Sequence, residues 1–347
     1  MSKKLVLLFV LIALITTGAY PAKMGITGKW ELTHTITDIQ YACGVYAHPS
    51  GEFIIVNGRG SLLMQLSTDD YSVLRTLQLP TATDCDSLAW GTPFADHSLV
   101  FFPDEHGSVF IVDPLDLSLK ITLPQSWYYG TGRMVVTSDG TTAIGSHSHY
   151  SYPGWLYFYD LTKDPIQTSI NYIAGQPGGI VLSPDERYLF VASCCTGVTP
   201  QIKQIDLQTR SEVDFVDFSG VVTELFSSLS IDPLNRKIFS GTPQGLLVID
   251  IDTLAYELYD IGTVGRVTFD TVHRRMVATG GNQFLVLDPE TYEVTQRFTL
   301  GSTSLCVPEF SIDGTKVFLG DVVNSVMHVF EYTPGNQPPT VGPGGPH

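Results

Sequence analysis

Between residues 50 and 314 the chain alternates short apolar runs with short polar turns. The runs are rich in Val, Ile, Leu, Phe and Tyr, they last four to eight residues, and Gly, Pro, Asn and Asp punctuate them. That is strand chemistry, and no long stretch carries the 3.6-residue period of a helix. One phrase, a β run, a tight polar turn and a second β run, occurs seven times. The turns fall at Ser50-Gly51, Ala95-Asp96, Asp139-Gly140, Asp185-Glu186, Asn235-Arg236, His273-Arg274 and Asp313-Gly314. From the second residue of one turn to that of the next, the spacings are 45, 44, 46, 50, 38 and 40. A period in the forties with strand chemistry predicts a β-propeller or a related β array.

A second phrase runs in step with the first. Apolar runs end in a polar residue at Ser67, Asp113, Asp160, Asp206, Asp250, Asp288 and Glu331. An Asp suits the turn that follows because its carboxylate accepts backbone N–H groups two residues on, so these aspartates read as structural. One unit therefore contains four strands. In the sixth, residues 266–269 form the inner strand, 275–279 the second, 283–287 the third and 293–300 the outer one. The last unit runs out of sequence at Phe330-Glu331-Tyr332, while the run from Lys29 to Ile36 is left over at the start. The expected fold is all-β: a seven-bladed β-propeller of four-stranded blades. Its ring is expected to be closed by the N-terminal strand serving as outer strand of the last blade, which removes an exposed edge.

The residues from Val181 to Ala192, Val-Leu-Ser-Pro-Asp-Glu-Arg-Tyr-Leu-Phe-Val-Ala, resemble the YVTN-type propeller repeat, and Leu287-Asp288-Pro289-Glu290-Thr291 resembles that family's continuation. The likeness extends over nearly the whole chain after the N-terminal segment. It implies an exported microbial propeller of YVTN/WD40-like type, of the kind found on surface layers, and implies no particular chemistry. Unit two departs from the pattern with an inserted Gly91-Thr92-Pro93-Phe94-Ala95-Asp96, and unit four with Cys194-Cys195.

The ends set the expected compartment. Lys3 and Lys4 precede an apolar run of 11 residues, Leu5 to Ile15, and small or polar residues follow. This reads as a signal peptide over residues 1–22, with cleavage after Ala19 or Ala22, or otherwise as an uncleaved anchor. The propeller is expected over 28–333 and a Pro/Gly-rich linker or tail over 334–347. Residues 336–341 resemble the opening of PKD-type Ig-like domains, which would imply a further domain or anchor; a frayed tail is the alternative. The expected location is secreted, periplasmic or cell surface. Membrane association is expected only through the signal segment or a C-terminal anchor.

Charge narrows the partners. The chain has 19 basic and 35 acidic side chains, a formal net charge of −16. A polyanion such as nucleic acid is expected to be repelled and is not expected as a partner, since its binding rests on Lys and Arg neutralising phosphates.

Candidate chemistry gathers in units two to four. The links into each inner strand and those between second and third strands share one face of a propeller, around the channel mouth. There the sequence places Asp84, Asp86, Glu105, His106, Tyr128, Tyr129, Arg133, His147 and His149 as ligand-binding candidates. His106, His147 and His149 could take a divalent metal, since imidazole suits Zn, Mn or Ni and spacing of two along a strand puts both histidines on one side. Solvated loop residues are the alternative, and no other cofactor is expected. Arg133, like Arg59 and Arg266, could instead serve a structural ion pair. No GxSxG, Walker A or Rossmann fingerprint is present.

Five cysteines leave at least one outside any intrachain disulfide. Cys43 and Cys306 hold equivalent positions in the first and last units, so a bridge there would staple the ring, and Cys194-Cys195 could form a vicinal disulfide. Buried thiols are the alternative for all four. Three roles follow: a binding module recognising a protein or glycan at the mouth, an extracytoplasmic lyase or hydrolase with a His/carboxylate site there, or a structural surface-layer subunit.

Overall fold

In the computed structural model, the residues described are 28–37, 39, 44–58, 62–80, 91–103, 108–124, 131–149, 152–173, 175–193, 198–226 and 228–335. The first strand, β1 (Lys29–Ile36), precedes the repeats. The first blade is β2 (Val45–Ala47), β3 (Phe53–Gly58), β4 (Leu62–Ser67) and β5 (Val73–Gln78), and the second is β6 (Thr92–Pro93), β7 (Val100–Pro103), β8 (Ser108–Asp113) and β9 (Ser118–Pro124). The third is β10 (Thr131–Val136), β11 (Thr142–His149), β12 (Tyr152–Asp160) and β13 (Gln167–Ile173). The fourth is β14 (Pro177–Leu182), β15 (Tyr188–Ser193), β16 (Gln201–Asp206) and β17 (Ser211–Asp217). The fifth is β18 (Leu229–Asp232), β19 (Lys237–Thr242), β20 (Gly245–Asp250) and β21 (Tyr256–Tyr259), and the sixth is β22 (Arg266–Asp270), β23 (Arg275–Gly280), β24 (Gln283–Leu287) and β25 (Val294–Thr299). The seventh sheet holds β26 (Glu309–Phe310), β27 (Lys316–Asp321) and β28 (Val326–Thr333), and its order is β1-β28-β27-β26. Seven antiparallel four-stranded blades thus form the ring, with no helix among the described residues.

The core lies in the seams between blades. Each blade buries both faces of its second and third strands, so those strands read as near-continuous apolar runs. In the first seam Ile55 and Leu63 meet Phe102 and Phe110; in the third, Ile144 and Phe158 meet Leu189 and Val191. A seam of the same kind joins Val56 and Met64 of the first blade to Phe318 and Val329 of the seventh. Outer strands pack little: β17 is exposed at six of its seven positions, which is why their sequences are the most polar.

The turns explain the repeat. At six of the seven predicted turns the second residue has a left-handed backbone: Gly51, Gly140, Glu186, Arg236, Arg274 and Gly314. In the second blade the left-handed residue is His97 (φ 58°), one position later than the sequence expectation. Asp96 is the reason: its carboxylate accepts the Ser98 N–H (3.0 Å) and hydroxyl (2.7 Å), which fixes Asp96 as the capping residue and passes the tight conformation to His97. The aspartates that end the third strands cap the next turn as expected. Asp113 accepts Leu115 N–H, Asp160 accepts Thr162 N–H, Asp206 accepts Thr209 N–H and Asp288 accepts Glu290 and Thr291 N–H, all at 2.8–3.0 Å.

Candidate functional site

Strand direction alternates within a blade, so its second-to-third connection and the link to the next blade share one face, the mouth face. The first-to-second and third-to-fourth turns share the opposite face. Of the nine mouth candidates, Asp84, Asp86, Glu105, His106, Tyr128 and Tyr129 lie outside the described residues. So do Arg59, Cys43, Cys194 and Cys195, and the signal and tail segments 1–22 and 336–347. The remaining three mouth candidates sit in one blade: Arg133 on the inner strand β10, and His147 and His149 at the mouth end of β11.

The backbone there departs from the repeat. With 8 and 9 residues, β11 and β12 form the longest second-and-third strand pair among the described residues. His147 lies opposite Thr131 on one side and Trp155 on the other, and His149 lies opposite Tyr152. The two-residue step from His147 to His149 is matched by a three-residue step on β12, a bulge beside the histidine pair. On the other flank, the step from Thr131 to Arg133 on β10 is matched by a single residue of β11. A further bulge lies between Pro177 and Ile180 on β14, opposite Ser193 and Val191. Bulges on outer strands recur in blades one, two, four and six and belong to the repeat. Inner-strand bulges occur only in blades three and four among the described pairs.

These irregular segments are tied together across the third seam. Ser146 Oγ donates to Gly178 O at 2.7 Å in a buried bond, and Gly154 N donates to Gly175 O at 2.9 Å. A Cβ on Gly154 would overlap the Pro177 ring, so only glycine lets β12 come this close to β14. The mouth end of blade three is therefore fixed against blade four.

The opposite face holds a second titratable group, which the sequence did not point to. Tyr46 OH lies 3.1 Å from His97 Nδ1, and the His48 ring stacks on Phe53 with centroids 4.3 Å apart. Burial, reinforced by the nearby Glu309 carboxylate, pushes the Tyr46 hydroxyl well above its ordinary range; burial, with His97 close by, lowers His48. The only sequence signal was a histidine in or beside the first turn of units one and two. Cys306 is buried, with its N–H donating to Gly320 O at 2.9 Å. Arg266 begins β22 half-buried, its N–H donating to Thr279 Oγ1 at 3.2 Å.

No family model matches the chain, and no curated protein matches it either. Among solved structures it is similar to the Cps50 (Swd1) β-propeller domain of Myceliophteria thermophila, with a TM-score of 0.71 and 9% identity over 87% of this chain and 99% of that one. The chain has the fold of a seven-bladed β-propeller. At that identity the likeness speaks to the fold alone.

Proposed function

We propose that the chain is an exported propeller of the YVTN/WD40-like kind that acts as a binding module, taking a protein or glycan ligand at the mouth face of blades two to four. The observation that carries this reading is the inner-strand irregularity that, among the described residues, lies in blades three and four. Bulges cluster at functional sites, where they re-aim side chains and end pairing, and these flank Arg133, His147 and His149. The sequence gathers Asp84, Asp86, Glu105, His106, Tyr128 and Tyr129 in the neighbouring links, so that mouth sector is rich in acceptors, donors and aromatic faces. Export rests on Lys3, Lys4 and the apolar run after them. The test probes glycan and peptide arrays with the full chain and with an Arg133→Ala/His147→Ala/His149→Ala variant. The wild type should retain ligands that the variant loses at unchanged melting temperature. A variant that keeps every wild-type ligand refutes the mouth as the site.

A second reading, a lyase or hydrolase using a histidine and a carboxylate, draws on the same segment, because the backbone bulge lies beside both His147 and His149. Its metal-dependent form would draw on His106, His147 and His149. Elemental analysis of the purified chain should then find a divalent metal that is lost in His147→Ala/His149→Ala; a metal-free wild type removes that form.

A further inference from the structure

The seam between blades three and four opens, on the face away from the mouth, into a cavity of about 380 Å³, within the ~300–1,000 Å³ span of small-ligand sites. Blade three supplies Thr142, Phe158, Asp160 and Ser169; blade four supplies Arg210 from the turn between β16 and β17. Arg210 has a left-handed backbone (φ 54°), and its carbonyl accepts the Asn171 side-chain amide across the seam. Its guanidinium lies over the Phe158 ring, 4.4 Å from the centroid, and Nη1 donates to Ser169 Oγ at 2.6 Å.

Two charges share this cavity without meeting. Among the described residues no carboxylate lies within ion-pair distance of Arg210, whose guanidinium is held by Phe158 and Ser169 alone. Among the described residues Asp160 likewise has no Lys or Arg at that distance, the Lys163 ammonium acting on it only from further off. Its Oδ1 accepts the Thr162 N–H at 3.0 Å and the Thr162 hydroxyl at 2.5 Å. Those bonds also hold its carboxyl below the usual range, so it is ionised at neutral pH. A second cavity of about 360 Å³ adjoins and shares Arg210; Asn171, Tyr172 and Glu212 line it. The Tyr172 side is open, with the residue 60% exposed, and Glu212 is held at 2.8 Å by the buried Lys203.

We propose that this seam binds a neutral oligosaccharide, one sugar unit in each cavity. A ligand bridging Arg210 and Asp160 must accept from a guanidinium and donate to a carboxylate, and a vicinal diol does both with adjacent hydroxyls. The exposed Tyr172 ring offers the second unit an apolar face. A carboxylate ligand, such as an acidic peptide side chain or a uronate, satisfies Arg210 but sets a new negative charge against Asp160 and Glu212 in a chain already at −16. A basic ligand meets Arg210 and Lys203. The hydroxyl-bearing neutral ligand is the one that meets no like charge.

Saturation-transfer NMR and calorimetry on the full chain test this with cellotetraose, maltotetraose, chitotetraose, tetragalacturonate and a glutamate-rich tetrapeptide. At least one neutral tetrasaccharide should bind at or below about 10 mM, the weak range open to a small surface site. Affinity should fall at least about tenfold in Asp160→Asn and in Arg210→Gln, each removing one charge-assisted bond. Asp160→Asn retains an acceptor for the turn, and thermal melts check that both variants stay folded. Affinity should be unchanged in His147→Ala/His149→Ala, which separates this site from the mouth. The proposal fails if no neutral tetrasaccharide binds, if only the uronate or the peptide binds, if both seam variants bind like wild type, or if the mouth variant abolishes binding.

Discussion

Trp30 is the residue on which the attachment of β1 should depend. Along β1 it alone is fully buried, at 1% exposure, while the next five residues are exposed. Its indole fills the sixth seam with Phe284, Val277 and Phe330. The ring meets Phe310 edge-on at 6.0 Å and Tyr332 at 5.3 Å, with the Arg275 guanidinium 5.7 Å away. The backbone N–H of Trp30 donates to Gln296 Oε1 of blade six at 2.9 Å, a bond that Trp30→Ala would keep, so one residue ties β1 to two blades. Truncating a buried Trp costs about 3–5 kcal/mol through lost transfer energy and the cavity left behind. Poor relaxation among four large rings places Trp30→Ala near the top of that range, a large part of the ~5–15 kcal/mol that stabilises a typical domain. Leu32, 42% exposed on the same strand, is the control, and Leu32→Ala should cost under about 1 kcal/mol. Equilibrium urea unfolding of the full chain reads both, with the slope checked for two-state behaviour. If β1 completes the seventh blade as its place beside β28 suggests, deleting residues 29–36 should match or exceed the Trp30→Ala loss. A Trp30→Ala loss under about 1 kcal/mol, or one equal to that of Leu32→Ala, would refute the reasoning.

Two further predictions concern the turns. Asp250 accepts a bond from Lys237 Nζ at 2.9 Å, and this interaction, helped by Thr253, lowers its pKa to about 2 from the unfolded value of 3.8. A depressed carboxylate stabilises the fold above the unfolded pKa, and that contribution is lost as pH falls through 3.8 towards about 2. With the solvent screening of a partly exposed pair, Asp250→Asn should lose on the order of 1 kcal/mol at neutral pH, a gap that narrows on acidification; denaturation curves showing the same gap at both ends contradict it. Gly51 and Gly314 are both left-handed, at φ 73° and 65°, but a Cβ meets nothing within 4 Å at Gly51 and strikes the His273 ring and Asp270 carboxylate at Gly314. Gly51→Ala should cost the left-handed penalty of about 1–2 kcal/mol, and Gly314→Ala clearly more, because the His273–Asp270 pair must move; equal melting temperatures would rule this out.

The blades were legible because their determinants are local. A turn such as Thr137–Thr142 is specified by Asp139 and its neighbours: Asp139 accepts Thr141 N–H at 2.9 Å, and the Thr137 hydroxyl donates back to Asp139 at 2.6 Å. Six residues contain the whole instruction, and it repeats at Ser183–Asp185 and Ser311–Asp313. The sequence pattern places the turn at His97 one residue early because it takes Asp96 as the second residue of its turn, whereas Asp96 caps the turn as Asp139 does, accepting the N–H two residues on. Pairs made between blades were not legible at all. Phe158 and Arg210 meet across the third seam, and Tyr46 and His97 across the first. Nothing near any of them in sequence announces a partner some fifty residues away.

The departures from the repeat carry more functional information than the repeat does, and the physical reason lies in how a propeller is stabilised. Each seam is filled by second and third strands whose alternation must match the facing blade, as Ile144 and Phe158 match Leu189 and Val191. An extra residue in an inner strand disturbs that match and loses ladder hydrogen bonds, so it persists only where other contacts compensate. In blade three the compensation is visible: the Ser146–Gly178 and Gly154–Gly175 bonds and the glycine-only approach to Pro177 pin the bulged segments to blade four. The outer-strand bulges of blades one, two, four and six need no such local support, because they face solvent and recur with the fold. A surface under no functional demand would be expected to keep the regular inner ladder seen in blades one, five and six. That contrast directs mutagenesis first to Arg133, His147 and His149, where the cost of irregularity has been met by contacts that hold it in place.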